Sequence, residues 1–225
     1  MVGGSPRLAQ TRLTPYSVET VVEPLAWSRV VVQLVVCAVL IILGGVRAVP
    51  RFRFAVLGMV AAAGYGMLQD QVSARLCPEY FTIFHPPIPG LTDPTLLGIA
   101  WGFLGAWWCG AGMGYVVGLI ATLGPRPPLA PRDVARPMLV LLAVVGVVTF
   151  LTGLSVWRHA EMFDVSFGPI VTTAVPEGRH RELFVVACYH FVAYATSILG
   201  GVVLCVWVAK ERQRKGLGGI SAHFG

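Results

Sequence analysis

Charged side chains are scarce in this chain: lysine, arginine, aspartate and glutamate make up 12% of its 225 residues. A soluble domain usually has about 25% charged residues, because its surface must be hydrated. The composition therefore excludes an ordinary soluble protein. The formal net charge is +6, but no basic stripe interleaved with aromatic residues occurs outside the chain ends. The charge thus gives no indication of a nucleic-acid partner.

Motifs for common enzyme and metal chemistry are also missing. The chain has no Cys-x-x-Cys pair, no Gly-x-Ser-x-Gly, no His-Glu-x-x-His and no phosphate-binding Gly-x-x-x-x-Gly-Lys. The glycine-rich run at residues 110–114 lies inside an apolar stretch. It therefore does not follow a strand as a phosphate-binding loop would. We expect no cofactor, and the sequence favours a protein that is not an enzyme.

Apolar residues are abundant instead, at 56% of the chain, with a mean hydropathy of +0.72. A bilayer core of about 30 Å requires about 20 helical residues. The second apolar run is short, but helical spacing continues through Val72 and Leu76 until Pro78 ends it. We predict an all-α membrane bundle of five transmembrane helices. The predicted spans are residues 30–46, 54–76, 96–122, 138–156 and 183–208.

The arginines and lysines predict the orientation, because basic loops remain on the cytoplasmic side of a membrane. One alternating set of segments has ten bases and two acids, and the other has seven bases and nine acids. The first set is predicted to be cytoplasmic, so the N-terminus is outside and the C-terminus is cytoplasmic. The predicted parts are an N-terminal arm (1–27), a transmembrane domain (28–209) and a basic cytoplasmic tail (210–225). Loops 69–95 and 157–182 then face outward.

A cleaved signal peptide is the alternative interpretation of the first span, since Val46-Arg-Ala48 has small residues at suitable spacing. Cleavage there would reverse the second span. It would place Arg47 to Arg53 outside, against the charge bias. We therefore favour an uncleaved first span.

Small residues recur at every fourth position in three of the predicted spans. Such a ridge lets helix backbones approach closely, which stabilises helix association in lipid. In the fifth span the pattern is Ala193, Ser197, Gly201 and Cys205. We expect the second, third and fifth spans to form the tight core, as static packing or, alternatively, as a sliding interface of the kind transporters use. The ridges of the second and third spans are Gly58, Ala62, Gly66, Gly98, Gly102, Ala106, Gly110, Gly114 and Gly118.

Polar residues cluster at the predicted outer ends of the second and fifth spans. The segment 78–90 has too many prolines for a helix and too many aromatics for a solvated loop. We expect it to fold back as a lid, with Glu79 pairing with a helix end or a loop arginine. The candidate outer polar site comprises Asp70, Gln71, Glu79, Tyr80, His85 and His190.

Imidazoles and carboxylates in the outer loops also suit a first-row metal ion, although their spacing is not that of a known motif. The further candidates are His159, Glu161, Asp164 and His180. The metal remains unknown at this point. A structural ion pair of Asp70 with Arg75 or Arg158 is the alternative. A Cys77–Cys188 disulfide is a further possibility in an oxidising compartment.

Four short blocks occur in order along residues 54–208: Asp70-Gln71, Pro78-Glu-Tyr-Phe-Thr82, Ala106-Trp-Trp-Cys-Gly110, and His190 with Tyr194. They resemble the motifs of a functionally uncharacterised family of small multi-pass bacterial membrane proteins. Members usually have histidine before Asp-Gln and asparagine after the fifth-span histidine, where this chain has Gln69 and Phe191. The resemblance implies a bacterial multi-pass membrane protein and brings no activity with it.

Three functions remain open from the sequence. The leading one is a non-enzymatic structural or accessory membrane protein with an extracytoplasmic polar cap. The alternative is a small-solute or cation transporter or channel-like protein, and the third is a metal-dependent membrane enzyme. The expected location is the bacterial cytoplasmic (inner) membrane. The expected partners are the lipid bilayer and either a second copy of the chain or another membrane protein.

Overall fold

The computed structural model describes residues 27–45, 49–162 and 167–221. The predicted arm before Trp27, the residues Val46 to Ala48 and the end of the tail lie outside these ranges. Within them the chain forms helices and no strand. The seven α-helices are α1 (Trp27–Gly45), α2 (Arg51–Leu76), α3 (Glu79–Thr82), α4 (Pro94–Thr122), α5 (Pro131–His159), α6 (Pro169–Ala174) and α7 (His180–Ser221).

Five of these helices, α1, α2, α4, α5 and α7, are long and apolar enough to cross a membrane. This confirms the predicted all-α bundle with five membrane helices. The helices alternate in direction, so the bundle has two ends. We call the end that contains α3, α6 and the loops around them the lid end. The opposite end, with the α4–α5 loop and the end of α7, is the tail end.

Helix boundaries extend beyond the apolar runs where local chemistry supports them. Asp93 accepts a hydrogen bond from Leu96 N at 2.9 Å and starts α4 ahead of its first leucine. Pro131 occupies the first turn of α5, where its missing N–H costs nothing. Asp133 accepts from Ala130 N at 2.9 Å in the same turn. The helices are therefore longer than the predicted spans.

The ridges of small residues bring α2 and α4 into backbone contact along their whole length. A Cβ at Gly58 would overlap Gly110 O, and one at Gly66 would overlap Gly102 O. At the lid end, a Cβ at Gly98 would lie 2.8 Å from Asp70 O. Only glycine permits these approaches, so α2 and α4 form one tight helix pair.

The fifth predicted span, α7, packs mainly against α5 and much less against α2 and α4. The predicted grouping of the second, third and fifth spans is therefore only partly right. At Gly201 the neighbour is the Met113 side chain of α4, not the backbone. A long side chain thus fills the space where two backbones would have met. The bundle consists of two helix pairs, α2 with α4 and α5 with α7, and α1 packs on the outside of α2.

Most of the predicted tail continues α7 as a helix, and this part of α7 contacts the end of α4 and the α4–α5 loop. Arg212 is 5% exposed. Its guanidinium donates to Ile120 O and Leu123 O at 2.6 Å and reaches Arg126 O and Pro127 O in the α4–α5 loop. The Ile120 and Leu123 carbonyls lie at the C-terminus of α4, where a positive charge is stabilising. A buried arginine therefore connects α7 to the end of α4.

Candidate functional site

The lid forms where α2 ends and the chain turns back across the bundle. The N–H of Cys77 donates to Ser73 O at 2.8 Å, and Pro78 then starts the short helix α3. Phe81 in α3 is 1% exposed and packs against Ala74 and Leu97. The lid is thus anchored by apolar burial over the ends of α2 and α4.

Beneath the lid, Asp70 and Ser73 of α2 meet His190 of α7. The Nε2 atom of His190 lies 3.0 Å from Ser73 Oγ and 3.6 Å from Asp70 Oδ1. The exposed fractions are 6% for Asp70, 0% for Ser73 and 7% for His190. We call these three residues the polar centre. They connect the two helix pairs inside the bundle, where a polar group without a partner would be costly.

Aromatic rings cover the polar centre on the side of the lid. The Tyr80 ring stacks on the His190 ring with centroids 4.6 Å apart, and the His85 ring lies 5.0 Å from the Tyr80 ring. His85 Nδ1 lies 2.9 Å from Tyr80 O, and a carbonyl only accepts, so Nδ1 carries the proton. Burial lowers the pKa of His85 and raises the pKa of Tyr80 to about 12. Both rings are therefore neutral near pH 7.

Glu79 lies in α3 but does not join the polar centre. It accepts from Arg179 Nε and Nη2, each at 3.2 Å, and Arg179 Nη2 also donates to Leu76 O at 2.8 Å. Burial by itself would raise the pKa of Glu79. The hydrogen bonds and charge of Arg179 outweigh burial, so the pKa lies below its ordinary value. This ion pair joins the lid, the end of α2 and the start of α7.

Gln71 also lies apart from the polar centre, on the α4 side of α2. Its Nε2 donates to Thr95 O at 3.2 Å, and its Oε1 accepts from Arg75 Nη1 at 2.7 Å. Arg75 Nη2 donates to Thr95 Oγ1 at 2.8 Å. Arg75 therefore links α2 to the start of α4 and is not the ion-pair partner of Asp70. The candidate residues separate into three groups: the covered polar centre, the Glu79 pair and the Gln71 link.

The polar centre contains serine, histidine and aspartate, so its geometry can be compared with that of a nucleophilic triad. In a triad the serine and the aspartate bind opposite nitrogens of the imidazole. Here Ser73 Oγ and Asp70 Oδ1 approach the same nitrogen, Nε2 of His190. Ser73 is also fully buried. The imidazole is therefore not held between the aspartate and the serine as a general base must be. A substrate also has no access to the Ser73 hydroxyl.

The candidate metal ligands are not brought together either. Among the described residues, no group of three histidine, cysteine, aspartate or glutamate side chains is placed to hold a metal ion. His159 and Glu161 are exposed at the end of α5 and just after it, and His180 contacts Val175 O at 2.9 Å. Asp164 lies outside the described residues. No metal centre is thus assembled from the described candidates.

All five cysteines are free thiols. Cys77 does not pair with Cys188; its thiol donates to Glu79 Oε2 at 3.4 Å instead. Burial raises the pKa of the Cys77 thiol to about 12. It is therefore an unreactive packing residue beneath the lid.

Sequence reasoning missed several residues of this region. Ser73 was not singled out, because a serine three residues before the end of an apolar helix gives no signal of its own. Trp107 donates to Gln33 Oε1 of α1 at 2.8 Å, a contact that no sequence pattern indicated. Gln69 Oε1 is buried without a hydrogen-bond partner among the described residues.

Comparison of the chain with protein-family models, with curated proteins and with solved structures finds no match. The interpretation of the site therefore depends on its geometry.

Proposed function

We propose that this chain is a non-enzymatic integral membrane protein with a structural or accessory role, whose polar cap holds the helix bundle closed. The observation that carries this proposal is the burial of Asp70, Ser73 and His190 beneath Tyr80 and Phe81. Their polar atoms contact one another across the two helix pairs. A binding or catalytic centre needs a path for its ligand, whereas a closing contact is strengthened by the exclusion of water.

The charge bias supports a placement in which the lid end faces outward and the tail end faces the cytoplasm. The resemblance of the motif blocks supports a bacterial inner membrane. The lipid bilayer is the partner that the five apolar helices require. A second copy or another membrane protein is the partner that an accessory role implies.

The test uses the purified protein in detergent, with thermal unfolding as the readout. The His190→Phe variant removes the contact with Ser73 and leaves Ser73 and Asp70 buried without a partner. We expect a loss of about 1–3 kcal/mol. His159→Phe makes the same change at an exposed site and should leave the midpoint unchanged. Equal midpoints for the two variants would exclude a closing role for the polar centre.

A panel of monovalent cations, divalent cations and small polar solutes separates this role from transport. A structural polar centre predicts no ligand-dependent rise in the midpoint of the wild type. If a panel member stabilises the wild type but not Asp70→Asn, the centre binds that solute and the proposal is wrong.

A small-solute or cation transporter is the second candidate, and one observation favours it. The two helix pairs are tightly packed within themselves but contact each other less extensively, as rocking bundles do. Arg179 at the lid end and Arg212 at the tail end both connect α7 to the α2–α4 pair. A transporter opens alternately to the two sides of the membrane. Such a cycle would have to break the Arg179 contact and the Arg212 contacts in turn. The solute panel therefore also tests this candidate.

A further inference from the structure

A cavity of about 210 Å³ lies where α2, α4, α5 and α7 meet, away from the polar centre. The α2–α4 pair contributes most of the small residues in its wall, and α7 contributes Gly201. Six of the small lining residues are Gly58, Ala62, Ala106, Gly110, Gly114 and Gly201. An apolar cavity of about 150 Å³ holds a benzene molecule. This cavity is thus large enough for a somewhat larger apolar molecule.

The cavity opens sideways, at the surface of the bundle that would face the lipid. Cys109 of α4 and Ile198 of α7 form part of its wall, and both are exposed. Tyr194 of α7 is also exposed and lines the cavity. An apolar molecule dissolved in the membrane can therefore enter between α4 and α7 without crossing the polar cap.

Polar hydroxyls in the wall lack partners. Neither the Tyr194 hydroxyl nor the Ser197 hydroxyl, both on α7, has a hydrogen-bond partner in the described part of the chain. Tyr65 forms another part of the wall, but its buried hydroxyl lies near the Thr149 hydroxyl of α5, without a well-placed hydrogen bond, so it is not counted as free. Hydroxyls in hydrocarbon are costly unless they are paired. The wall is otherwise apolar, so it suits an apolar molecule whose single oxygen lies near the Tyr194 and Ser197 hydroxyls.

The depth of these hydroxyls distinguishes the ligand from a phospholipid. Tyr65 precedes the end of α2 by eleven residues, and Tyr194 follows the start of α7 by fourteen residues. At a rise of about 1.5 Å per residue, these positions are roughly 16 and 21 Å from the lid end. The hydrocarbon core is about 30 Å thick, so both residues lie close to mid-membrane. Phospholipid oxygens lie in the headgroup region and do not reach this depth.

The geometry points to a binding site for an apolar molecule with a carbonyl or hydroxyl oxygen, which bonds to the Tyr194 hydroxyl at mid-membrane. This inference goes beyond the structural role proposed above and does not depend on it. The small residues of both helix pairs shape the cavity, and Met113 and Met138 provide flexible walls. The ligand would enter laterally from the lipid.

The test compares acetophenone with ethylbenzene, in which a CH2 group replaces the carbonyl. Binding to the purified full-length protein is measured by thermal stabilisation at matched mole fractions in detergent micelles. Acetophenone should bind the wild type about fivefold more tightly than Tyr194→Phe, the effect of one hydrogen bond. Ethylbenzene should bind both equally. Equal acetophenone binding by the two proteins would overturn the inference.

Two bulky variants of α7 locate the binding. Ser197→Phe fills the cavity, whereas Val202→Phe adds a similar bulk at a residue that is 57% exposed and outside the lining. Ser197→Phe should bind neither probe, and Val202→Phe should bind as the wild type does. If Ser197→Phe still binds both probes, they partition onto the lipid-facing surface and the cavity is not a site. Unlike an unfolded variant, a folded Ser197→Phe protein retains a cooperative melting transition.

The ligand retained from the native membrane is the last arm of the test. Mass spectrometry of solvent extracts should find an oxygen-bearing apolar compound in wild type and Val202→Phe, and not in Ser197→Phe. If all three proteins retain only phospholipid in equal amounts, bulk lipid chains fill the cavity and the inference is wrong.

Discussion

At the scale of single residues, Glu79 determines whether the lid is held by charge as well as by apolar packing. Its carboxylate contacts Arg179, and both side chains are partly exposed, at 23% and 33%. Solvent screening therefore reduces the contribution of the pair from that of a fully buried one. The lid depends on this pair together with the burial of Phe81.

The Glu79→Gln variant should lower the free energy of unfolding by about 1 kcal/mol at pH 7, because hydrogen bonds to a charged group are replaced by neutral ones. The pKa of Glu79 is lowered in the folded protein, so its contribution is fully present above the ordinary value of 4.5. It is lost as the pH falls through the lower folded value. Thermal unfolding of wild type and variant between pH 7 and pH 3 measures this difference.

Glu161→Gln is the matched control for Glu79→Gln, because Glu161 is exposed just after α5. It should have no effect at any pH. A Glu79→Gln difference that is as large at pH 3 as at pH 7 would contradict the charge-pair explanation and assign the effect to packing.

At the scale of the helices, the α2–α4 contact depends on particular glycines, and α4 offers a matched pair to show this. A Cβ at Gly110 would overlap Gly58 O, whereas a Cβ at Gly112 would have nothing within 4 Å. Both glycines lie mid-helix. The two positions differ in what they face and not in backbone conformation.

The Gly110→Ala variant should destabilise the bundle by about 1–3 kcal/mol, because added bulk separates two packed backbones. Gly112→Ala should cause no loss, since alanine has the higher helix propensity. Unfolding in a mixed-micelle titration with sodium dodecyl sulfate compares them. Equal stability of the two variants would show that α2 and α4 do not depend on close backbone approach.

The contact between α7 and the end of α4 depends on the shape of the Arg212 side chain. Its planar guanidinium reaches four carbonyl oxygens at once, which a single ammonium group does not. Arg212→Lys keeps the charge but should cost about 2 kcal/mol in the same titration. Arg214→Lys, at an exposed arginine that pairs with Glu211, should be neutral. Wild-type stability of Arg212→Lys would mean that charge alone is sufficient.

At the scale of the whole molecule, the two ends of the bundle differ in charge, and this predicts how it sits in the membrane. Among the described residues, the segments of the tail end hold nine bases against two acids, and those of the lid end hold five bases against six acids. Basic segments remain in the cytoplasm. The lid should therefore face outward.

Single added cysteines test this orientation in intact cells with a membrane-impermeant maleimide. Glu161→Cys at the lid end should be labelled directly. Arg214→Cys at the tail end should be labelled only after permeabilisation. The reverse pattern would invert the proposed topology. Labelling of the native cysteines is the background, and it is measured on the chain without an added cysteine.

The sequence alone determined the class and the helices of this protein, because hydropathy and helical spacing are local properties. It identified five spans, the ridge from Gly58 to Gly66 on α2, and the expectation that Glu79 pairs with a loop arginine, which Arg179 fulfils. The tertiary structure decided which helices pair. Small residues permit close contact, but they do not say whether the neighbour is a backbone or, as at Gly201, the Met113 side chain.

The tertiary structure also decided how the outer residues group. Asp70, Ser73 and His190 are separated by up to 120 positions in the chain, and only the antiparallel packing of α2 and α7 brings them together. Gln71 is adjacent to Asp70 in sequence, but it faces α4, because neighbours on a helix point about 100° apart. Composition therefore determined that polar residues would lie near this end of the bundle. Packing determined that they form a closed polar centre.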